Sequence, residues 1–187
     1  MSAMTWWDHK TRSIWSQPIG QALAGEMTGT ELTLLPMQLT TWGNWKNSYP
    51  ETLVMTNDLE HISFSRPGFS KDFVIGLNIA DQAKAFYYTD VESVGIINDQ
   101  IGDFPILVWA ADEDYRVYLR QVVGEVLSFR LEDGTLIDNE TGSTWDIGIG
   151  IATEGALESQ VMQSIPSLTS FDWAWNDFYP DSEIYQP

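Results

Sequence analysis

The sequence predicts a mainly β protein with short helices, in the range from all-β to α+β, on three observations. After residue 72, short runs of β-branched and aromatic residues recur at roughly 8–12-residue spacing with turn signals between them. Residues 6–55 and 136–185 carry one pattern twice, aligned without a gap at an offset of 130 positions. In each copy a proline is followed by a Thr/Ser pair and three aromatic residues at helical spacing, the pattern of one short docked helix. The expected architecture is an antiparallel, hairpin-rich sheet or barrel unit, present as one complete repeat plus half of another.

The offset places Asp8 on Asp138, Thr11 on Thr141, Ser13 on Ser143, Trp15 on Trp145, Gly20 on Gly150 and Ala22 on Ala152. It also places Gly25 on Gly155, Pro36 on Pro166, Trp45 on Trp175, Tyr49 on Tyr179 and Pro50 on Pro180. Self-similarity at a fixed period decides architecture before local propensity does. A 130-residue offset is too long for a solenoid and implies tandem units. Residues 1–56 then read as the C-terminal half of a first repeat, 57–71 as a linker containing Pro67-Gly68, and 72–187 as a complete second repeat.

Within the second unit, Phe73–Ile79 and Ala83–Tyr88 flank Ala80-Asp81-Gln82, a hairpin signal. Ile96–Ile101 and Pro105–Ala110 flank Gly102-Asp103. Arg116–Val122 alternates apolar and polar residues. Val126–Leu131 and Thr135–Ile137 flank Glu132-Asp133-Gly134, where Asp-Gly is a strong hairpin cue. In the helical segments Trp42, Trp45 and Tyr49 fall on one face, as do Phe171, Trp175 and Phe178, with Thr40-Thr41 and Thr169-Ser170 placed as caps. Two to three turns do not persist on propensity alone, so each aromatic face is expected to dock on a sheet.

At 187 residues, 43% apolar and 13% aromatic, the chain is ample for a packed core. Its longest apolar stretches, such as Phe104–Ala111, fall far short of the roughly 20 residues of a membrane helix, so no membrane span is expected. The absence of cysteine excludes disulfides, thiol catalysis and thiolate metal sites. The formal net charge of −18 is uneven: residues 1–70 carry 4 basic and 6 acidic side chains, residues 71–187 carry 5 and 21. Such a field repels phosphate backbones, and nucleic acid is not an expected partner.

His9 and His61 lack partners at ligand spacing, and no metal or other cofactor is expected. Asp112-Glu113-Asp114 reads as a solvated loop. Gly148 to Gly155 lacks phosphate-loop spacing, and no Gly-x-Ser-x-Gly turn is present. The repeated Asp, Thr and Ser fit an Asx-type turn leading into a core tryptophan. The alternative is a polar rim beside a stacking indole at a pocket mouth, which makes Asp8, Ser13, Trp15, Gln17, Trp42, Asp138, Ser143 and Trp145 the candidate ligand-binding residues. No catalytic residue is nominated.

Asp8 through Ala22, then Gly29-Thr30-Glu31-Leu32, Leu34-Leu35-Pro36, Thr40-Thr41-Trp42 and Tyr49-Pro50-Glu51-Thr52 resemble the family known as domain of unknown function 3179. Ile75-Gly76-Leu77, Ala83–Phe86, Ile97-Asn98-Asp99, Pro105–Val108, Leu127-Ser128-Phe129 and Asp138 through Trp145 resemble that family's closing repeat. The resemblance implies a tandem pair whose first repeat opens with its own hairpins and a Cys-Pro-x-Cys-Gly segment. The equivalent place in the second repeat here is Val108-Trp109-Ala110-Ala111. No established activity comes with it.

The functional expectation is therefore a non-catalytic structural or binding part of a larger two-repeat protein. The alternatives are a metal- or thiol-dependent redox enzyme whose reactive residues lie in the other half, and an extracytoplasmic carbohydrate or small-ligand binding module. A homo-oligomer, or a partner chain covering the first half-repeat, is expected. Compartment is not fixed by the sequence, with an extracytoplasmic parent favoured.

Overall fold

The computed structural model describes residues 4–37, 39–54 and 69–187. The first part builds a three-stranded antiparallel sheet of β1 (Thr5–Trp7), β2 (Ile14–Ser16) and β3 (Ala22–Ala24), followed by α1 (Trp42–Ser48). His61 and most of the predicted linker lie outside the described residues.

The second part stacks three sheets. The first pairs β4 (Phe73–Ile79) with β5 (Gln82–Tyr87), and α2 (Tyr88–Val94) follows. The second is the meander β6 (Ile96–Ile101), β7 (Phe104–Ala111) and β8 (Asp114–Leu119). A two-stranded ribbon, β9 (Gln121–Val122) and β10 (Glu125–Val126), leads to the third sheet. That sheet runs in order through β11 (Phe129–Glu132), β12 (Thr135–Asp138), β13 (Thr144–Asp146) and β14 (Ile151–Glu154). The chain then returns: β15 (Leu168–Phe171) pairs with β4, α3 (Asp172–Phe178) covers that sheet, and β16 (Glu183–Ile184) adds parallel to β5. The fold is mainly β as the sequence predicts. Among the described residues no sheet closes into a barrel, and β16 departs from the antiparallel rule.

Alternation along the strands explains the stacking. On β4, Ile75 and Leu77 point into a core shared with Val91 of α2 and with Ile106, Val108 and Val117 of the meander. Val74, in the opposite phase, points to Trp175 of α3. On β7 and β8, Leu107 and Tyr118 face the opposite way, toward Leu127, Phe129, Leu136, Trp145 and Met162. Strand β7 is thus covered on both faces, which is why Phe104–Ala111 reads as an unbroken apolar run. Each fully buried Leu, Ile or Val contributes about 1.5–3 kcal/mol of transfer free energy.

Gly76 positions α3. A Cβ at this position would fall inside the Trp175 ring, so only glycine lets the indole lie on the strand. The hairpin turns follow the sequence: Asp133 and Gly134, both at positive φ, join Glu132 to Thr135 in two residues. Ala80 and Asp81 do the same between Ile79 and Gln82, which moves the start of β5 one residue earlier than expected.

Helix α2 corrects an expected strand end. Tyr88 and Val91, three apart, bury one face in the core, Asp90 lies in the first turn, and Gly95 at φ 79° stops the helix. The capping expectation holds only for α1, where Thr41 Oγ1 accepts from the Asn44 amide at 3.2 Å. Thr169 and Ser170 instead belong to β15, and Phe171 occupies the cap position. Docking is likewise unequal. Trp175 of α3 is buried, whereas α1 buries no residue and Trp42 stays 55% exposed.

Candidate functional site

The repeated Asp-x-x-Thr-x-Ser motif forms the same turn twice. In the first copy Asp8 Oδ1 accepts from the Lys10 amide at 2.8 Å, and Oδ2 accepts from Thr11 Oγ1. The hydroxyls of Thr11 and Ser13 lie 2.8 Å apart, and Ser13 Oγ accepts from the Met27 amide at 3.0 Å. In the second, Asp138 accepts from the Thr141 amide at 2.6 Å and the Ser143 amide at 3.1 Å. The hydroxyls of Thr141 and Ser143 lie 2.7 Å apart, and Ser143 Oγ accepts from the Leu157 amide at 3.0 Å.

The agreement extends beyond the turn. The bonds Ala22 N to Thr30 O, Gly29 N to Ala22 O and Leu32 N to Gly20 O recur as Ala152 N to Gln160 O, Ser159 N to Ala152 O and Met162 N to Gly150 O. Register shifts fall between Ile14 and Trp15 and between Thr144 and Trp145. Trp45 Nε1 donates to Thr52 Oγ1 at 3.0 Å, as Trp175 Nε1 does to Ser182 Oγ at 2.7 Å. Gly25 and Gly155 recur for one physical reason: φ is near 100° at both, and a Cβ would strike the backbone of Ser13 or Ser143.

This geometry commits the polar groups internally. Ser13, Ser143 and Asp138 are fully buried, and their oxygens take the amides and hydroxyls of their own turns. Burial pushes the Asp138 carboxyl up, but hydrogen bonds from Trp145, Thr141 and Ser143 outweigh it and hold the group below the usual carboxylate range. The Thr11 hydroxyl and Lys10 amide lower that of Asp8 in the same direction. A serine whose hydroxyl is tied up in this way is not set up as a nucleophile.

The candidate residues therefore separate. Asp138, Ser143 and Trp145 come together inside the third sheet, where the Trp145 ring meets Phe129 edge-on at 5.6 Å. Asp8, Ser13 and half-buried Trp15 occupy the equivalent places in the first copy. Trp42 lies apart on α1. Gln17 alone of the eight borders the two clefts between the parts. One, of about 280 Å³, lies against Trp175 and Phe178, and the other, of about 340 Å³, lies among Trp6, Leu32, Gly76 and Pro166.

Buried charged groups link elements of the fold, one of them across the two parts. Asp114, expected in a solvated loop, is buried at the start of β8, where it pairs with Arg116 and accepts from Thr40 Oγ1 at 2.8 Å. Lys84 is buried between Asp99 at 2.7 Å and Glu183 at 2.9 Å; desolvation lowers its pKa, yet the two carboxylates more than compensate and raise it. The positions two apart in Asp114 and Arg116 were the available signal, since β-strand periodicity puts them on one face. Among the described residues, no three His, Cys, Asp or Glu side chains gather to hold a metal, and no helix is long and apolar enough to cross a membrane.

Comparison with known proteins adds family membership. The family described as Protein of unknown function (DUF3179) matches residues 1–69 and again residues 65–182, so one match falls on each copy of the turn. No curated protein and no solved structure matches. Two matches that together run from residue 1 to residue 182, each holding its own Asp-x-x-Thr-x-Ser-x-Trp motif, make this chain a member of the DUF3179 family.

Proposed function

We propose that the chain is a non-catalytic structural or binding part of a two-repeat protein, acting by association through its first copy. Residues 1–56 form the half-repeat, 57–71 the connection and 72–187 the complete repeat. One observation carries this reading: equivalent apolar positions are buried in the second copy and open in the first. Trp6 is 45% exposed where Leu136 is 1%, and Leu35 is 70% exposed where Ile165 is 5%. Exposed apolar side chains gathered as Trp6, Ile19, Leu32 and Leu34 are around one cleft mark an interaction site. The buried commitment of Asp138, Ser143 and Ser13 further supports a role without chemistry at these residues.

The test is sedimentation of the purified chain at micromolar concentration, with binding of the apolar dye anilinonaphthalene sulfonate. Concentration-dependent association or dye binding, abolished by W6S/L32S/L35S, is the expected result. A monodisperse monomer that does not take up dye contradicts it. A second reading, small-ligand binding, has one observation in its favour: the two clefts beside Gln17 approach the lower end of ligand-pocket size and have Trp6 and Trp175 among their walls. A sugar and small-aromatic screen followed by indole fluorescence tests it, and an unchanged spectrum throughout removes it.

A further inference from the structure

An uncharged groove begins at the seam between the two parts. The two clefts beside Gln17 share that residue with Pro18, Leu168 and Tyr179, and the second shares Asn78 and Pro166 with a third cleft of about 320 Å³. No charged side chain lines any of the three, although 19% of the chain is charged and its net charge is −18. The side-chain amides of Gln17, Asn78 and Gln163, spread along these walls, make no hydrogen bond to another described residue. A carboxamide offers a donor and an acceptor together, as a peptide group does.

One wall is a sheet edge. Strand β15 pairs only with β4, so its other side is a free edge of that four-stranded sheet. Leu168, Thr169 and Ser170 of this strand line the first cleft, half-buried, and beyond the ladder to β4 their backbone groups bond to no other described residue. Native edge strands are commonly guarded against further pairing by charged side chains. The other edges of the second part's three sheets carry them: Asp99 on β6, Asp114 on β8, Arg130 on β11, Glu154 on β14 and Glu183 on β16. Strand β15, Leu-Thr-Ser-Phe, carries none.

We infer that the free edge of β15 and the groove beside it form a docking site for an uncharged, extended polypeptide segment, which adds to the sheet as a further strand. This gives the association reading a partner of stated chemistry and rests on it. A basic segment would be drawn to the acidic surface but would lose its hydration in the groove without a counter-charge, and an acidic one would be repelled. A neutral segment meets neither cost. The row of main-chain groups along β15 matches a polypeptide backbone rather than a saccharide, and it supplies affinity while the apolar walls take alternate side chains.

The probe is a pool of acetylated and amidated hexapeptides that alternate Thr with Val, Ile, Leu or Phe, added at about 1 mM to the full chain. A matched pool with Glu in place of Thr is the control. Amide exchange is read at Leu168–Ser170. The neutral pool is expected to slow the outward amides by at least about fivefold, the acidic pool to leave them unchanged, and Ser170→Lys, which restores a guard to the edge, to abolish the slowing. No slowing by the neutral pool overturns the proposal, as does equal slowing by both pools, which needs no variant to read. Slow exchange in the dilute chain alone would mean that the edge is already covered, and it too overturns the proposal. Exchange that slows only with chain concentration would make a second copy the occupant, and exchange that responds to a neutral saccharide but not to peptide would make the site a small-ligand cleft. Both results overturn this inference. The association reading fails separately, if the chain sediments as a monomer and takes up no dye.

Discussion

The indole N–H of Trp145 donates to Oδ2 of Asp138 at 3.0 Å, tying a core tryptophan to the carboxylate that organises the turn before it. Seven residues separate them, and the same spacing sets Trp15 after Asp8. In the second copy the pair is buried beneath the meander. In the first, the same turn stands with less cover, and the difference ranks the consequences of equivalent substitutions.

Asp138→Asn removes the charge that receives two amides and an indole in a buried setting, and should destabilise the protein by about 2–3 kcal/mol. Asp8→Asn alters the same turn near solvent and should cost clearly less. Urea unfolding of the two variants checks the order. Equal losses would mean that cover does not set the strength of the motif.

Acid sensitivity follows from the lowered pKa of Asp138. A carboxylate held below its unfolded value contributes stability that is complete above about pH 4 and is lost as pH falls through the native value. The melting temperature should therefore decline below about pH 4, with a shallower decline in Asp138→Asn. Parallel acid limbs for the two proteins would contradict the assignment.

Gly76→Ala drives a methyl group into the Trp175 ring and should cost at least about 2 kcal/mol. Because the clash involves the far edge of the indole, Gly76→Ala combined with Trp175→Phe should lose less than the sum of the two single changes. Additive losses in thermal denaturation would show that the strand and α3 are not in the described contact.

The 21 acidic against 5 basic side chains after residue 70 repel one another in the compact state. Raising NaCl from about 0.01 M to about 1 M shortens the screening length from roughly 30 Å to 3 Å. The melting temperature should rise across that range. A flat or falling trend would show that ion pairs such as Lys84 with Asp99 outweigh the repulsion.

Much of the fold was legible because its signals are local. Ile96–Ile101 and Phe73–Ile79 stand as strands with the expected bounds, and Asp133-Gly134 turns as an Asp-Gly pair should. Helix α2 was not legible, since Tyr88–Val94 has only two buried positions and its helical state is fixed by tertiary packing on the meander. Thr169-Ser170 misled for a related reason: strand pairing with β4 overrode a local capping pattern. Of the candidate site, the Asx turns could be read from Asp8, Thr11 and Ser13. The burial of Asp138 and the contact of Asp114 with Thr40 could not, because both depend on segments distant in sequence.

Residue-resolved hydrogen exchange of the unmodified chain tests most directly the claim that one fold element occurs twice and is covered once. The amides of Ala22, Gly29 and Leu32 should be protected like those of Ala152, Ser159 and Met162, while the outward amides of Thr5–Trp7 exchange far faster than those of Thr135–Asp138 facing β11. Unprotected Ala22 and Leu32, or equal protection at the two edges, would contradict the account.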